Sequence, residues 1–124
     1  MKILVIDDSG FSRMQMKNIL KQVAPDAQIL EADGAQKAMD LYDQEMPELV
    51  LTDLVMPEIK GDAVVRHVRS KNSDSFVAVV SANVQDRVQE EMKELGADYF
   101  LEKPIKLEKV QAVFAAYEQK NNIS

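Results

Sequence analysis

Two adjacent carboxylates, Asp7 and Asp8, follow directly on an apolar run from Ile3 to Ile6. A third, Asp53, closes another such run; the hydroxyl of Ser81 closes a further one, and the ammonium of Lys103 follows a last. Carboxylates gathered together repel and raise one another's pKa unless a cation neutralises them. A ligand set of oxygens alone suits a hard divalent ion, Mg2+ before Ca2+, because few carboxylates are on offer and water must complete the shell. A carboxylate beside Mg2+, with a lysine and a hydroxyl nearby, is equipped to attack phosphorus. The metal and the ammonium stabilise the charge on the transferring group, and carboxylate nucleophiles form acyl phosphates. Taken singly, each group has a plainer reading. Asp7-Asp8 suits a helix cap, as does Ser81-Ala82-Asn83, and a lone Lys103 is a solvated surface lysine. The chemistry depends on whether the fold assembles them.

The elements that must do so are legible as alternating patterns. Lys2–Ile6, Ala27–Ala32, Leu49–Thr52, Phe76–Val80 and Tyr99–Leu101 are short runs rich in Val, Ile and Leu, as in strands covered on both faces. Between them lie helical stripes: Met16, Ile19, Leu20 and Val23; Ala35, Ala38, Met39 and Tyr42; Val64, Val65 and Val68, in a helix starting near Asp62; Val84, Val88, Met92 and Leu95; and Leu107, Val110, Phe114 and Tyr117. Gly96 suits a left-handed helix end, Pro25-Asp26 breaks the chain before the second strand, and Gly61 marks a turn. The fold predicted is α/β, a (βα)5 unit with a five-stranded parallel sheet and helices on both faces. In such sheets ligands bind beyond the carboxyl ends of the strands. Asp7, Asp8, Asp53, Ser81 and Lys103 all belong to that edge.

Composition narrows the function. At 124 residues the chain fits one domain, with only the polar tail from Gln119 to Ser124 expected to fray. A net charge of −6 repels nucleic acid and anionic membranes, which points to protein or cation partners. No cysteine is present, so thiolate metal sites and disulfides are excluded. The N-terminus is too short in apolar residues for a signal peptide, and no run approaches membrane-spanning length, so the reading is a cytoplasmic protein. The single histidine, His67, lies in the third helix beside Arg66 and Arg69, a poor place for a phosphoryl relay. The seven methionines read as core and gap fillers.

Four segments, ILVIDDSGFSR, LVLTDLVMPEIKGD, VVSANV and GADYFLEKPI, resemble in order those of the CheY-like receiver domain of two-component response regulators, with the single-domain chemotaxis type foremost. The match covers nearly the whole chain. The resemblance implies a flavodoxin-like fold over residues 1–120 with a short tail at 121–124. It implies a phosphoprotein of a phosphorelay that takes its phosphoryl group on Asp53 from a sensor histidine kinase or a His-phosphotransfer domain. On the same ground Asp8 is the direct Mg2+ ligand and Asp7 its partner through water. The acceptor Asp53 and the main-chain carbonyl of Val55 complete the metal set. Lys103 is the phosphate-binding lysine, Ser81 the switch hydroxyl and Phe100 the switch aromatic. The Lys103-Pro104 bond is usually cis in that family. Met56-Pro57 and Gly61 flank the acceptor as the family pattern asks. Many members have Tyr where Phe100 stands, so a phenolic hydrogen bond to a partner is absent here. Val55 and Asn83 occupy the positions by which the family tunes dephosphorylation.

The implied output is a switched surface of the fourth helix, fifth strand and fifth helix that binds a downstream protein, a flagellar motor switch in the chemotaxis type. The implied state is a monomer able to dimerise when phosphorylated, with signalling rather than turnover as its business. A relay intermediate, or a receiver belonging to a larger regulator, shares this length; an ending without a linker favours the single-domain form. A haloacid-dehalogenase-like phosphatase also uses an aspartate nucleophile, Mg2+ and a lysine. It places the nucleophile and a second aspartate two residues apart after strand one, with a cap domain often present. Here Asp7 and Asp8 are adjacent, and no length is left for a cap. A flavin-binding flavodoxin-like domain is disfavoured because three carboxylates repel a phosphate.

Overall fold

The computed structural model describes residues 1–56, 60–71, 74–82 and 85–123. Five strands, β1 (Lys2–Ile6), β2 (Gln28–Ala32), β3 (Leu49–Asp53), β4 (Phe76–Ser81) and β5 (Tyr99–Glu102), alternate with five helices. These are α1 (Gly10–Val23), α2 (Ala35–Glu45), α3 (Gly61–Ser70), α4 (Asp86–Leu95) and α5 (Leu107–Ile123). Every strand pairing is parallel, in the order β2-β1-β3-β4-β5. The flavodoxin-like (βα)5 arrangement expected from the patterns is the one adopted.

The pleat sends successive side chains to opposite faces, so each central strand feeds two cores. Leu4, Ile6, Val50, Val77 and Val79 pack under α2, α3 and α4, against Ala38, Tyr42, Val64, Val65, Val68 and Met92. Ile3, Val5, Leu49, Leu51, Ala78 and Val80 pack under α1 and α5, against Met16, Leu20, Val110 and Val113. That division explains why β1, β3 and β4 carry no in-out alternation, whereas edge strand β2 is only partly covered outside Ala32.

Several boundaries move by a residue. Asp53, Ser81 and Glu102 join the ends of β3, β4 and β5, because each pairs in register with a neighbouring strand: Asp53 with Val80, Ser81 with Glu102. Gly61 is the first residue of α3 rather than part of a turn before it. The larger correction concerns the tail. The segment expected to fray from Gln119 is helical through Ile123. Lys120 supplies the reason: its Nζ lies 2.8 Å from Asp98 Oδ1 and 5.8 Å from the centroid of the Phe76 ring, which pins the last turns to the sheet. Gly96 ends α4 in the left-handed conformation at φ 112°, as its position predicts. Pro57, Asn83 and Val84, to which roles or packing were assigned from sequence, lie outside the described residues. Among the described residues no helix is long and apolar enough to cross a membrane.

Candidate functional site

The site is built by three loops at the carboxyl ends of the strands. In the first, Ser9 caps α1: its side chain accepts the Ser12 N–H at 3.2 Å. Between the end of β1 and that cap stand two residues, Asp7 and Asp8. Asp7 is buried and held at every polar atom. Its N–H donates to the Ala32 carbonyl at 3.2 Å, its carbonyl accepts from Arg13 Nη1 at 2.7 Å, and its Oδ1 accepts the Ser9 N–H at 2.9 Å. Its Oδ2 accepts from Lys103 Nζ at 3.2 Å. Asp8, by contrast, is exposed.

The second loop follows β3. Asp53 is 7% exposed, and its main-chain carbonyl accepts from Thr52 Oγ1 at 3.0 Å. A Cβ on Gly61 would fall 1.9 Å from that carbonyl oxygen, so the start of α3 rests directly on the Asp53 backbone and only glycine permits it. The Gly61 N–H donates to the Leu54 carbonyl at 3.0 Å, closing the loop. The Val55 N–H points at Asp53 Oδ1 from 3.4 Å, and the Val55 side chain is exposed.

The third loop carries Lys103, whose N–H donates to the Ser81 carbonyl at 2.9 Å. The Lys103-Pro104 bond is cis, as the resemblance implied. Lys109 Nζ braces the loop by donating to the carbonyls of Glu102 and Pro104 at 3.0 and 3.2 Å. The Lys103 ammonium thereby enters the site, 3.2 Å from Asp7 Oδ2 and 3.3 Å from Asp53 Oδ2. Ser81 is buried at the end of β4, one strand from Asp53. Phe100 is half-buried on the α4 side of the sheet, lining a cleft of about 530 Å³ with Asp86, Gln89, Met92, Lys93 and Tyr99. Asp7, Asp8, Asp53 and Lys103 thus meet, Ser81 ends the neighbouring strand, and Phe100 lies back along β5 in register with Val79.

One ammonium between two carboxylates leaves unequal satisfaction. Burial drives the Asp53 pKa up; Lys103 pulls it back only in part, because Asp7 competes for the same ammonium and adds its own negative charge. For Lys103 burial acts downward, but the two carboxylates together outweigh it and its pKa rises. Asp7, Asp8 and Asp53 each present a carboxylate oxygen within 4.8 Å of the others, close enough for one divalent ion to be held by all three. An all-carboxylate donor set short of positive charge fits Mg2+.

Beside this cluster, Phe11, Pro104 and Ile105 help to wall a cleft of about 420 Å³ that reaches Asp7, Asp53 and Lys103. Sequence reasoning did not single out Arg13, Thr52 or Lys109, because their contribution is a side chain donating to a main-chain carbonyl, which residue type and spacing do not announce. For Gly61 the motif was visible but the close approach to Asp53 was not.

The chain matches the family model for the response regulator receiver domain over residues 3–115. It is similar to the chemotaxis protein CheY of Listeria monocytogenes, 31% identical over 110 residues that cover 89% of this chain and 92% of that protein. A second relative, named "Probable transcriptional regulator ycf27", of Guillardia theta, is 30% identical over 123 residues, 98% of this chain but 46% of the relative. Among solved structures, a response regulator receiver domain protein from Clostridium thermocellum shares the fold with a TM-score of 0.85 at 24% identity, over 99% of this chain and 98% of that one.

Proposed function

Because the chain belongs to the response regulator receiver domain family, we propose that it is a phosphorylation-activated switch. It takes a phosphoryl group on Asp53 from a histidine kinase or a His-phosphotransfer domain in a Mg2+-dependent reaction. The observation that carries the reading is the buried Asp53 carboxylate, which shares the Lys103 ammonium with Asp7 and lies within reach of Asp8.

An Asp53 oxygen attacks the donor phosphorus; the new O–P bond forms as the P–N bond to the donor histidine breaks, and the imidazole leaves. Asp8, Asp53 and the Val55 carbonyl, with Asp7 through water, would hold Mg2+, which when bound would neutralise charge spread over the transferring group. Lys103 exchanges a carboxylate for a phosphoryl oxygen and keeps its charge matched. Asp7, anchored by four hydrogen bonds, keeps its place through the transfer. The Ser81 hydroxyl then donates to the phosphoryl group and draws the β4–α4 loop inward. Phe100 packs into the space released, and the surface of α4, β5 and α5 changes. Phosphate acts by its differential contacts with two states that already exist.

The receiver occupies residues 1–120, works in the cytoplasm as a monomer that can dimerise on phosphorylation, and catalyses only its own phosphorylation and dephosphorylation. Similarity to a chemotaxis protein along nearly its full length supports a chemotaxis signal read by a protein target such as a flagellar motor switch. A second reading, a receiver within a larger regulator, is favoured by the relative of which this chain spans only about half; a relay intermediate is the other alternative.

The test is intact-mass and NMR analysis with Mg2+ and acetyl phosphate, on the wild type and on Asp53→Asn. The expected result is one metal-dependent phosphoryl adduct, lost in Asp53→Asn, with shifts running from Ser81 to Phe100. An adduct that survives in Asp53→Asn refutes the acceptor assignment.

A further inference from the structure

Arg13 lies on α1, outside the set of acids and the lysine, yet its side chain reaches into their frame. Nη1 donates to the Asp7 carbonyl at 2.7 Å, while Nε donates to Glu31 Oε1 on β2 at 3.2 Å. The second Glu31 oxygen accepts from Lys17 Nζ, also on α1, at 2.9 Å. The guanidinium therefore joins three elements: the end of β1, the first turns of α1, and β2. Its planar fork suits this task, since two donors on one rigid group face two acceptors in different directions. The carbonyl it holds belongs to the peptide plane between Asp7 and Asp8. Fixing that plane fixes the direction in which the chain enters Asp8. Asp8 is exposed, so its orientation must come from the main chain.

We propose that Arg13 is a positioning residue for the acidic pair: by holding the Asp7 carbonyl against Glu31 it sets the Asp7-Asp8 peptide plane and so presents both carboxylates to one cation. This rests on the reading of Asp7 and Asp8 as Mg2+ ligands. Positioning and simple charge predict opposite signs. If Arg13 acted on the site only as a nearby positive charge, Arg13→Ala would tighten Mg2+ binding. Positioning predicts weaker binding, and it predicts that Arg13→Lys, which keeps the charge but lacks the fork, fails to restore it.

The experiment titrates Mg2+ into the wild type, Arg13→Ala and Arg13→Lys without any phosphodonor, following amide shifts by NMR, with thermal unfolding of each variant in parallel. The Kd should rise about tenfold in Arg13→Ala, as for loss of a group that orients a metal ligand, and should stay raised in Arg13→Lys. In metal-free protein, exchange of the Ser9 amide, which donates to Asp7 Oδ1, should quicken about tenfold in both variants. Tighter binding in Arg13→Ala with wild-type affinity in Arg13→Lys overturns the proposal in favour of charge. Unchanged affinity in both, with only a lowered Tm, overturns it in favour of packing. A wild type that takes up no Mg2+ here, and forms no phosphoryl adduct in the acetyl phosphate test above, overturns the functional reading instead. The Ser9 exchange rate then decides Arg13: a rate unchanged in both variants removes its role, and a faster one keeps it as the organiser of the turn.

Discussion

At the amino end of the sheet one anion, Asp98, is shared by two cations, Arg69 and Lys120; at the carboxyl end one cation, Lys103, is shared by two anions, Asp7 and Asp53. The first cluster is closed on itself. Asp98 Oδ2 also accepts the Val77 N–H at 2.8 Å, and Arg69 donates to the carbonyls of Gly96 and Ser75 at 2.8 Å each. Strands β4 and β5 and helices α3, α4 and α5 are tied there by a carboxylate whose charge is fully answered by its two cations. The second cluster includes a third carboxylate, Asp8, and is left with an excess of negative charge. Groups of one chemical type, placed at opposite ends of one sheet, thus make a brace at one end and an appetite for a cation at the other. Taking one partner from such a pair leaves a charge uncompensated, and a charge only half paired in the folded state costs stability that a ligand can recover.

The difference can be broken most severely through the glycines. At the carboxyl end a Cβ on Gly61 would lie 1.9 Å from the Asp53 main-chain oxygen, where strand and helix backbone cannot yield. At the amino end a Cβ on Gly96 would meet Arg69 Cγ at 2.6 Å, a side chain rather than backbone, and at φ 112° a side chain there is strained as well. Gly61→Ala should therefore cost on the order of 3 kcal/mol in chemical denaturation. It should also slow adduct formation with acetyl phosphate more than tenfold, since it displaces Asp53. Wild-type kinetics in a folded Gly61→Ala protein would sever the link between that close approach and the acceptor.

Removing one acid from each end should then give opposite signs. Asp98→Ala leaves Arg69 and Lys120 facing each other and the Val77 N–H without its acceptor, so stability should fall by about 3 kcal/mol, measured in urea. Asp53→Asn should instead raise stability at neutral pH, by on the order of 1 kcal/mol. Its pH dependence sharpens the contrast. Burial, with the Asp7 charge added and Lys103 only partly offsetting, holds the Asp53 pKa above its ordinary 3.8. A carboxyl raised in the folded state contributes stability that is fully present below the ordinary value and is lost as pH rises through the folded one. The wild type should therefore trail Asp53→Asn at pH 7 and draw level with it as pH falls toward 3.8. Thermal unfolding of both proteins across that range checks it; a gap that widens in acid would contradict the origin assigned to the shift.

His67 shows how far a residue type misleads without its surroundings. The only histidine pairs with Asp43 at 2.7 Å and sits edge-on to Tyr42, so it links α3 to α2 away from the carboxylates. Tyr42, read from sequence as part of a helical stripe, is fully buried and hydrogen-bonds Ser75 at 2.8 Å, a contact its period did not announce. Val113, absent from the expected α5 stripe, is fully buried, because α5 turns more of its surface to the sheet than four positions suggested.

From the sequence alone came the alternation of elements, the double-sided cover of the strands and the gathering of Asp7, Asp8, Asp53, Ser81 and Lys103 at one edge. These are local properties: periodicity reports which faces are buried, and parallel strands carry whatever follows them to a common end. The tertiary structure alone decided that a single ammonium lies between Asp7 and Asp53, that α3 rests on the Asp53 carbonyl through Gly61, that Arg13 clasps the turn before Asp8, and that Lys120 keeps α5 helical to Ile123. Each of those depends on distances of a few ångströms between groups on different elements. Periodicity, a property of neighbours, carries no information about such distances, whereas the registry of packed elements sets them.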